Sequence, residues 1–132
     1  MRESIAGSPA RPFAGVDPSS NRVEISPAPG GGRICLLFLT TSCAPCQVLW
    51  NGARQAGPAH RVVVVTPGPE TESRHKAAQL GGPELEVVMS SDGWIRYAVT
   101  AAPWLVIVDS GTVIHDAPAP ADWDGVMAEV AR

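Results

Sequence analysis

Long apolar runs and an excess of basic charge are both missing from this sequence. No stretch approaches the roughly 18 consecutive apolar residues that a membrane-spanning helix needs, and the first twenty residues lack the apolar core of a secretory signal. Ten Lys and Arg stand against thirteen Asp and Glu, so the net charge of -3 offers no basic surface to nucleic acid. We expect no nucleic-acid partner, and a membrane anchor only upstream of residue 1.

Cysteine is scarce, and its odd count limits the chemistry. Three cysteines among 132 residues argue against a secreted scaffold held by disulfides and favour one functional pair with one residue left over. The residue left over is Cys35, which lies in the apolar run 34–39 and is expected in the core. The length and the 45% hydrophobic content predict one domain with one core.

The chain divides into a leader and a domain. Residues 1–21 contain several Pro, Gly and Ser and show no sustained period, so we expect an extended leader and leave open whether it is ordered. Residues 22–132 contain the periodic segments and are predicted to form the domain. They begin with 22–26, which alternates polar and apolar residues like a short edge strand.

Short apolar runs without alternation predict buried strands covered on both faces. They lie at 34–39, 61–65 and 104–108, with a weaker candidate at 85–89. An Asp-Ser-Gly turn inside 107–115 predicts an antiparallel hairpin.

Helical patterns lie between and after these strands. Apolar residues recur at helical spacing from Cys46 onward, and the Gly-Pro pair at 57–58 ends that pattern. Residues 69–80 are rich in helix formers, and a last helix is predicted from Trp123 with Asp122 as its N-cap. The order of elements predicts an α/β sandwich that begins with a parallel βαβ unit and ends antiparallel.

Two cysteines stand where the first buried strand gives way to a helix. Cys43 is predicted at the helix N-terminus, where unpaired backbone N–H groups and the helix dipole favour a thiolate. Cys46 lies one turn deeper on the same face and should be more buried and less ionised. Ser42, Ala44 and Pro45 form the local environment, with the proline tolerated in the first turn. The pattern favours a redox pair in which Cys43 attacks a disulfide and Cys46 resolves the mixed disulfide.

Two other interpretations of the cysteine pair remain open. In a zinc site the pair would supply two of four ligands, and the others would come from Cys35, His60, His75 or His115, none of which forms a second closely spaced pair. Two inert buried thiols are the second alternative, although the polar residues 40–42 argue against it. The redox interpretation is favoured, and we predict neither a metal nor an organic cofactor.

Three segments between residues 22 and 131 carry a resemblance to a known family. They are LLFLTTSCAPC, VVVVTPGPETESRHKAAQL and YAVTAAPWLVIVDSGTVIH. Together they resemble the thioredoxin superfamily, and within it the TlpA-like (ResA-like) thiol-disulfide oxidoreductases. The resemblance implies the thioredoxin fold, an α/β three-layer sandwich whose central mixed sheet is flanked by helices.

The resemblance also implies a site and a function. It implies that the Ala102-Pro103 peptide bond is cis and lies against the Cys43-Cys46 pair, where the backbone of Ala102 can pair with an extended substrate. We therefore expect a monomeric oxidoreductase that reduces disulfides of protein partners, with the extracytoplasmic face of a bacterial membrane marginally favoured over the cytoplasm. The alternative is a thioredoxin-like binding or assembly module without turnover.

Three positions depart from the pattern of thioredoxins proper. Leu37 stands where those proteins carry a buried Asp, Ser42 replaces a Trp, and Gln47 occupies a position that is often basic. No carboxylate is then evident to take the proton of Cys46, which leaves water or Glu86. The departures argue against a general cytosolic thioredoxin and for a dedicated reductase or an assembly factor.

Overall fold

The structure is a computed structural model that describes residues 2–55 and 60–132. The Gly-Pro pair at 57–58, predicted to end the first helix, lies outside the described residues. The strands are β1 (Phe13–Val16), β2 (Arg22–Ile25), β3 (Arg33–Phe38), β4 (Arg61–Thr66), β5 (Glu86–Met89), β6 (Trp104–Asp109) and β7 (Thr112–Pro118). The helices are α1 (Ala44–Gln55), α2 (Arg74–Gly81), α3 (Ser91–Arg96) and α4 (Trp123–Ala131).

The strands form one mixed sheet in the order β2-β1-β5-β4-β3-β6-β7. β3, β4 and β5 are parallel, and α1 connects the first two of them as the predicted βαβ unit. β6 is antiparallel to β3 and to β7, which confirms the predicted antiparallel second half. The carboxyl end of a parallel strand leads directly into its crossover helix. The segment between β3 and α1 therefore lies at the carboxyl ends of the parallel strands.

The central strands are covered on both faces. Cys35 and Leu37 of β3 point into a core with the helices α1, α2 and α4, while Leu36 and Phe38 point into a second core that contains Tyr97, the residue following α3. Successive side chains of a strand alternate between faces, so an unbroken apolar run supplies both cores. The predicted three-layer sandwich with a central mixed sheet is confirmed, and Cys35 is fully buried as expected.

The predicted turn and cap in the C-terminal part are confirmed. Ser110 and Gly111 between β6 and β7 have φ of 51° and 79°, the positive values that a tight type I′ hairpin turn requires. The side chain of Asp122 accepts a hydrogen bond from the backbone N of Gly125 at 2.8 Å and caps α4. No helix within the described parts of the chain has the length and apolarity to cross a membrane.

Two elements carry no clear local signal. Phe13–Val16 of the predicted leader forms β1, which pairs with β2 along four residues and reaches β5 only through Val16 and Met89. α3 has six residues, too few for a helical period to be recognised. The two elements stabilise each other by packing. The ring of Phe13 in β1 lies edge to face against the ring of Tyr97, the residue after α3, with 5.9 Å between the ring centres.

The second helix begins later than its composition suggested. Residues 69–80 predicted a helix, but α2 starts at Arg74 because Ser73 is its N-cap and accepts from the backbone N of Lys76 at 3.1 Å. Before it, the backbone N of Thr71 donates to the carbonyl of Gly68 in a turn. The residues before the cap therefore form a loop, which lies beside the segment that follows β3.

Candidate active site

Cys43 occupies the N-cap position of α1. Its Sγ accepts a hydrogen bond from the backbone N of Cys46 at 3.3 Å, one of the N–H groups that a helix leaves without an internal partner. Cys43 is partly exposed, whereas Cys46 is fully buried. The predicted positions at the helix start and the predicted difference in burial are confirmed. Neither Cys43 nor Cys46 takes part in a disulfide in the structure.

The surroundings of Cys46 oppose its ionisation. Burial raises the pKa of Cys46 to about 12, and its hydrogen bond with the Cys43 side chain raises it in addition, while the backbone of Thr40 acts in the opposite direction. Cys46 is thus a neutral thiol at neutral pH, as predicted. None of the causes of this shift is a carboxylate, which agrees with the apolar Leu37 in the same core.

Three side chains hold the segment that leads into the cysteine pair. The indole Nε1 of Trp50 donates to the carbonyl of Thr40 at 3.0 Å. Glu72 accepts from the backbone N of Thr41 at 2.8 Å, and the amide of Gln47 donates to the carbonyl of Thr41 at 3.3 Å. Both polar groups of the nearly buried Thr41 backbone are therefore satisfied by side chains. The sequence singled out Gln47 only as a departure and gave no signal for Glu72, because its contact joins residues 31 positions apart.

A loop between α3 and β6 closes the other side of the site. The Ala102-Pro103 bond is cis, as predicted, and the carbonyl of Ala102 lies 3.9 Å from the Sγ of Cys43. A shallow groove runs from Pro45 along residues 101–104 to residues 118–121. The described residues that line it are prolines, alanines and one tryptophan, so it carries no charged side chain.

The hypothesis that Glu86 takes the proton of Cys46 is wrong. Glu86 is the first residue of β5 and binds Arg61, the first residue of β4, with a closest N–O distance of 2.8 Å. Cys43 follows the other end of the parallel strand β3. The opposite ends of parallel strands lie at opposite edges of a sheet, so the carboxylate is remote from the cysteine pair.

The residues considered for a zinc site are dispersed. Cys35 is enclosed in the middle of β3, and His115 on β7 lies 3.5 Å from Glu129 of α4. Across residues 2–55 and 60–132, no three His, Cys, Asp or Glu side chains come together as a possible metal site. The residues next to the cysteines in sequence are Ser42, Ala44 and Pro45, and none of them is a His, Cys, Asp or Glu that could complete a metal site.

The comparisons with known proteins identify the fold. The sequence matches no protein-family model and no curated protein. Its structure is similar to the thioredoxin domain of a thiol-disulfide oxidoreductase from Bacteroides vulgatus, at 19% identity and a TM-score of 0.70 with 98% of this chain and 97% of that chain covered. The chain therefore has the thioredoxin fold.

Two further solved structures support this assignment of the fold. A candidate thiol:disulfide interchange protein DsbE from Chlorobium tepidum is 22% identical, with 97% of this chain and 99% of that chain covered and a TM-score of 0.74. The exposed lipoprotein thioredoxin of Streptococcus pneumoniae is 20% identical, with 92% and 98% covered and a TM-score of 0.69. The structural likeness extends beyond residues 22–131, where the sequence resemblance lies.

Proposed function

We propose that the protein is a thiol-disulfide oxidoreductase that reduces disulfides of protein partners by cycling between a Cys43-Cys46 dithiol and disulfide. The observation that carries the proposal is the asymmetry of the pair: the sulfur of the partly exposed Cys43 caps α1, while Cys46 is fully buried and its pKa is raised to about 12. Solved structures of the same fold described as thiol-disulfide oxidoreductases support it. A TlpA-like protein is the form of this activity that the sequence motifs favour.

The proposed reaction has two exchange steps. The Cys43 thiolate attacks one sulfur of the partner disulfide, that S–S bond breaks, and the departing partner sulfur takes a proton from solvent. Cys46 then gives its proton to water and attacks the Sγ of Cys43, which releases the second partner sulfur as a thiol after protonation. Two electrons and two protons have then passed to the partner, and a dithiol donor is needed to restore the reduced pair.

Partner recognition is proposed at the cis-proline loop. The backbone of Ala102 borders Cys43, and an extended partner segment could pair with it as an added strand while its disulfide faces the sulfur. Pro103 and the uncharged groove beside it would contact apolar side chains of the partner. Ala102 and Pro103 are thus proposed as substrate-binding residues, and Cys43 and Cys46 as catalytic residues.

Single cysteine variants test the proposal. With a dithiol donor and insulin as the disulfide substrate, Cys43→Ser and Cys46→Ser should both lose turnover, and only Cys46→Ser should accumulate a mixed disulfide with the partner. Cys35→Ala is the matched control, because that thiol is buried within the sheet and should be dispensable. Turnover that persists in Cys43→Ser would contradict the proposed role of this sulfur.

A binding or assembly module without turnover is the second candidate. It is favoured by one observation: the pKa of Cys46 is raised to about 12 with no carboxylate contributing, so the resolving step lacks an evident proton acceptor in the protein. Wild-type protein that binds a partner through Cys43 and shows no turnover with any dithiol donor would support this candidate over the reductase.

A further inference from the structure

A fully buried carboxylate lies close to the cis-proline loop on the face opposite to α1. The side chain of Asp116 on β7 has no exposed surface. Its Oδ1 accepts from the indole Nε1 of Trp104 at 2.8 Å, and its Oδ2 accepts from the backbone N of Ile5 at 2.9 Å and from Arg2 at 2.6 Å. A buried charge is tolerated only when it is well paired, and here three donors from two distant segments converge on one carboxylate.

Arg2 joins this carboxylate to the start of the cis-proline loop. Its Nε donates to the carbonyl of Ala98 at 2.7 Å and its Nη2 to the carbonyl of Tyr97 at 2.7 Å, just after the end of α3. Its Nη1 donates to the carboxylate of Asp116, and the guanidinium carbon lies 4.9 Å from the centre of the Trp104 ring. All three guanidinium nitrogens are therefore engaged in contacts between separate segments.

The two ends of the loop are consequently held by one side chain. The loop leaves α3 at Tyr97 and Ala98, carries the cis bond at Ala102-Pro103, and enters β6 at Trp104. Arg2 binds the carbonyls at the first end and stacks on the ring at the second. Between these two points lies the Ala102 carbonyl, which faces the Cys43 sulfur.

We propose that Arg2 and Asp116 are positioning residues that fix the cis-proline loop for the binding of a partner's polypeptide chain. The inference rests on the proposed function and adds the N-terminal segment to the active-site architecture. Neither residue touches the reacting sulfurs. They act through Trp104 and the loop backbone, so their loss should affect substrates that pair with the loop and spare substrates that reach Cys43 without it.

The same hairpin offers a matched control pair. Arg33 binds Asp109 at 2.9 Å and also donates to the carbonyl of Val130, so it too ties a chain terminus to the β6-β7 hairpin. Asp109 is the last residue of β6, at the end remote from Trp104. Weakening this pair should lower stability and leave the cis-proline loop in place.

The experiment compares two disulfides as substrates of the reduced, full-length protein. One is a disulfide-linked peptide, and the other is 4,4′-dithiodipyridine, which has no backbone to pair. For Arg2→Gln and Asp116→Asn we expect the second-order rate with the peptide to fall about tenfold through a higher KM, and the rate with the small disulfide to change less than about twofold. Arg33→Gln and Asp109→Asn should leave the ratio of the two rates unchanged.

The outcomes separate the inference from the function on which it rests. If Asp116→Asn does not fold, Arg2→Lys keeps the charge and loses the planar fork, and should show the same selective loss in smaller measure. An equal fall of the rate for both substrates would overturn the positioning role, and so would a change of the ratio of the two rates in Arg33→Gln and Asp109→Asn as large as that in Arg2→Gln and Asp116→Asn. A wild-type protein that reduces neither substrate through Cys43 would overturn the proposed function itself and this inference with it.

Discussion

The backbone N–H of Cys46 points at the sulfur of Cys43 across 3.3 Å, so the two members of the pair are linked before any disulfide forms. Cys43 thereby caps the helix that carries Cys46. Cys43 is partly exposed and Cys46 is fully buried, and this difference determines which thiol can meet a reagent first.

We predict that only one thiol of the native reduced protein reacts with iodoacetamide at pH 8. Cys35 and Cys46 are fully buried and burial raises the pKa of each to about 12, so neither offers an accessible thiolate. Intact-mass spectrometry should find one adduct in the folded protein and three after denaturation. The Cys43→Ser variant should remain unlabelled when folded, and rapid labelling of Cys46 in the wild type would contradict the prediction.

The stability of the reduced protein should fall at alkaline pH. A thiol in the unfolded chain titrates near 8.5, whereas the pKa of both Cys35 and Cys46 in the folded protein is about 12. The unfolded state therefore binds fewer protons between these values. The stability that these thiols contribute is fully present below pH 8.5 and declines by up to about 1.4 kcal/mol per pH unit per thiol as the pH rises toward 12.

Urea unfolding of the reduced protein at pH 8, 9.5 and 11 measures this decline. The double variant Cys35→Ala/Cys46→Ala is the control, because it keeps every other group that titrates in this range. Its free energy of unfolding should decline less steeply than that of the wild type. Parallel declines in the two proteins would show that the buried thiols are not responsible.

Trp50→Phe should destabilise the segment before the cysteine pair. The change keeps an aromatic ring but removes the donor to the Thr40 carbonyl at 3.0 Å. Because Thr40 is only partly buried, we expect a loss of about 1 kcal/mol, the lower end of the cost of an unsatisfied acceptor. Trp94→Phe is the matched control, because its indole nitrogen donates over a longer distance of 3.3 Å and its ring is only partly buried. Urea unfolding should show the larger loss for Trp50→Phe, and equal losses would argue against a role of the Thr40 bond.

Gly52→Ala should destabilise the protein although alanine is the better helix former. A Cβ at Gly52 would clash with the Cβ of Trp123 and lie 2.9 Å from its Cγ, where α1 meets α4. Overpacking of this kind costs about 1–3 kcal/mol, against a gain in helix propensity of about 1 kcal/mol. Gly32→Ala is the control, since no atom lies within 4 Å of its added Cβ. A rise in the thermal unfolding midpoint of Gly52→Ala would refute the predicted crowding.

The sequence by itself determined the central part of this fold. The short, predominantly apolar runs at 34–39, 61–65 and 104–108 favour strands covered on both faces, because the exposed face of a half-buried strand would be polar. The Cys-Ala-Pro-Cys segment at their first junction identified the helix start, the accessible sulfur and the buried one. These features are local, so spacing and residue type are sufficient to predict them.

Tertiary structure alone decided what surrounds the pair. Glu72 reaches Thr41 across 31 positions of sequence, and Arg2 reaches Asp116 across 114. Such contacts leave no periodic pattern, since each depends on where the sheet and its loops bring two single side chains together. The arrangement of the sheet also places Glu86 at the strand ends opposite to the cysteine pair. It also adds, as strand β1, part of a segment that was predicted to be an extended leader. The local sequence was thus sufficient to locate the cysteine pair, while long-range packing determined which residues position the segments around it.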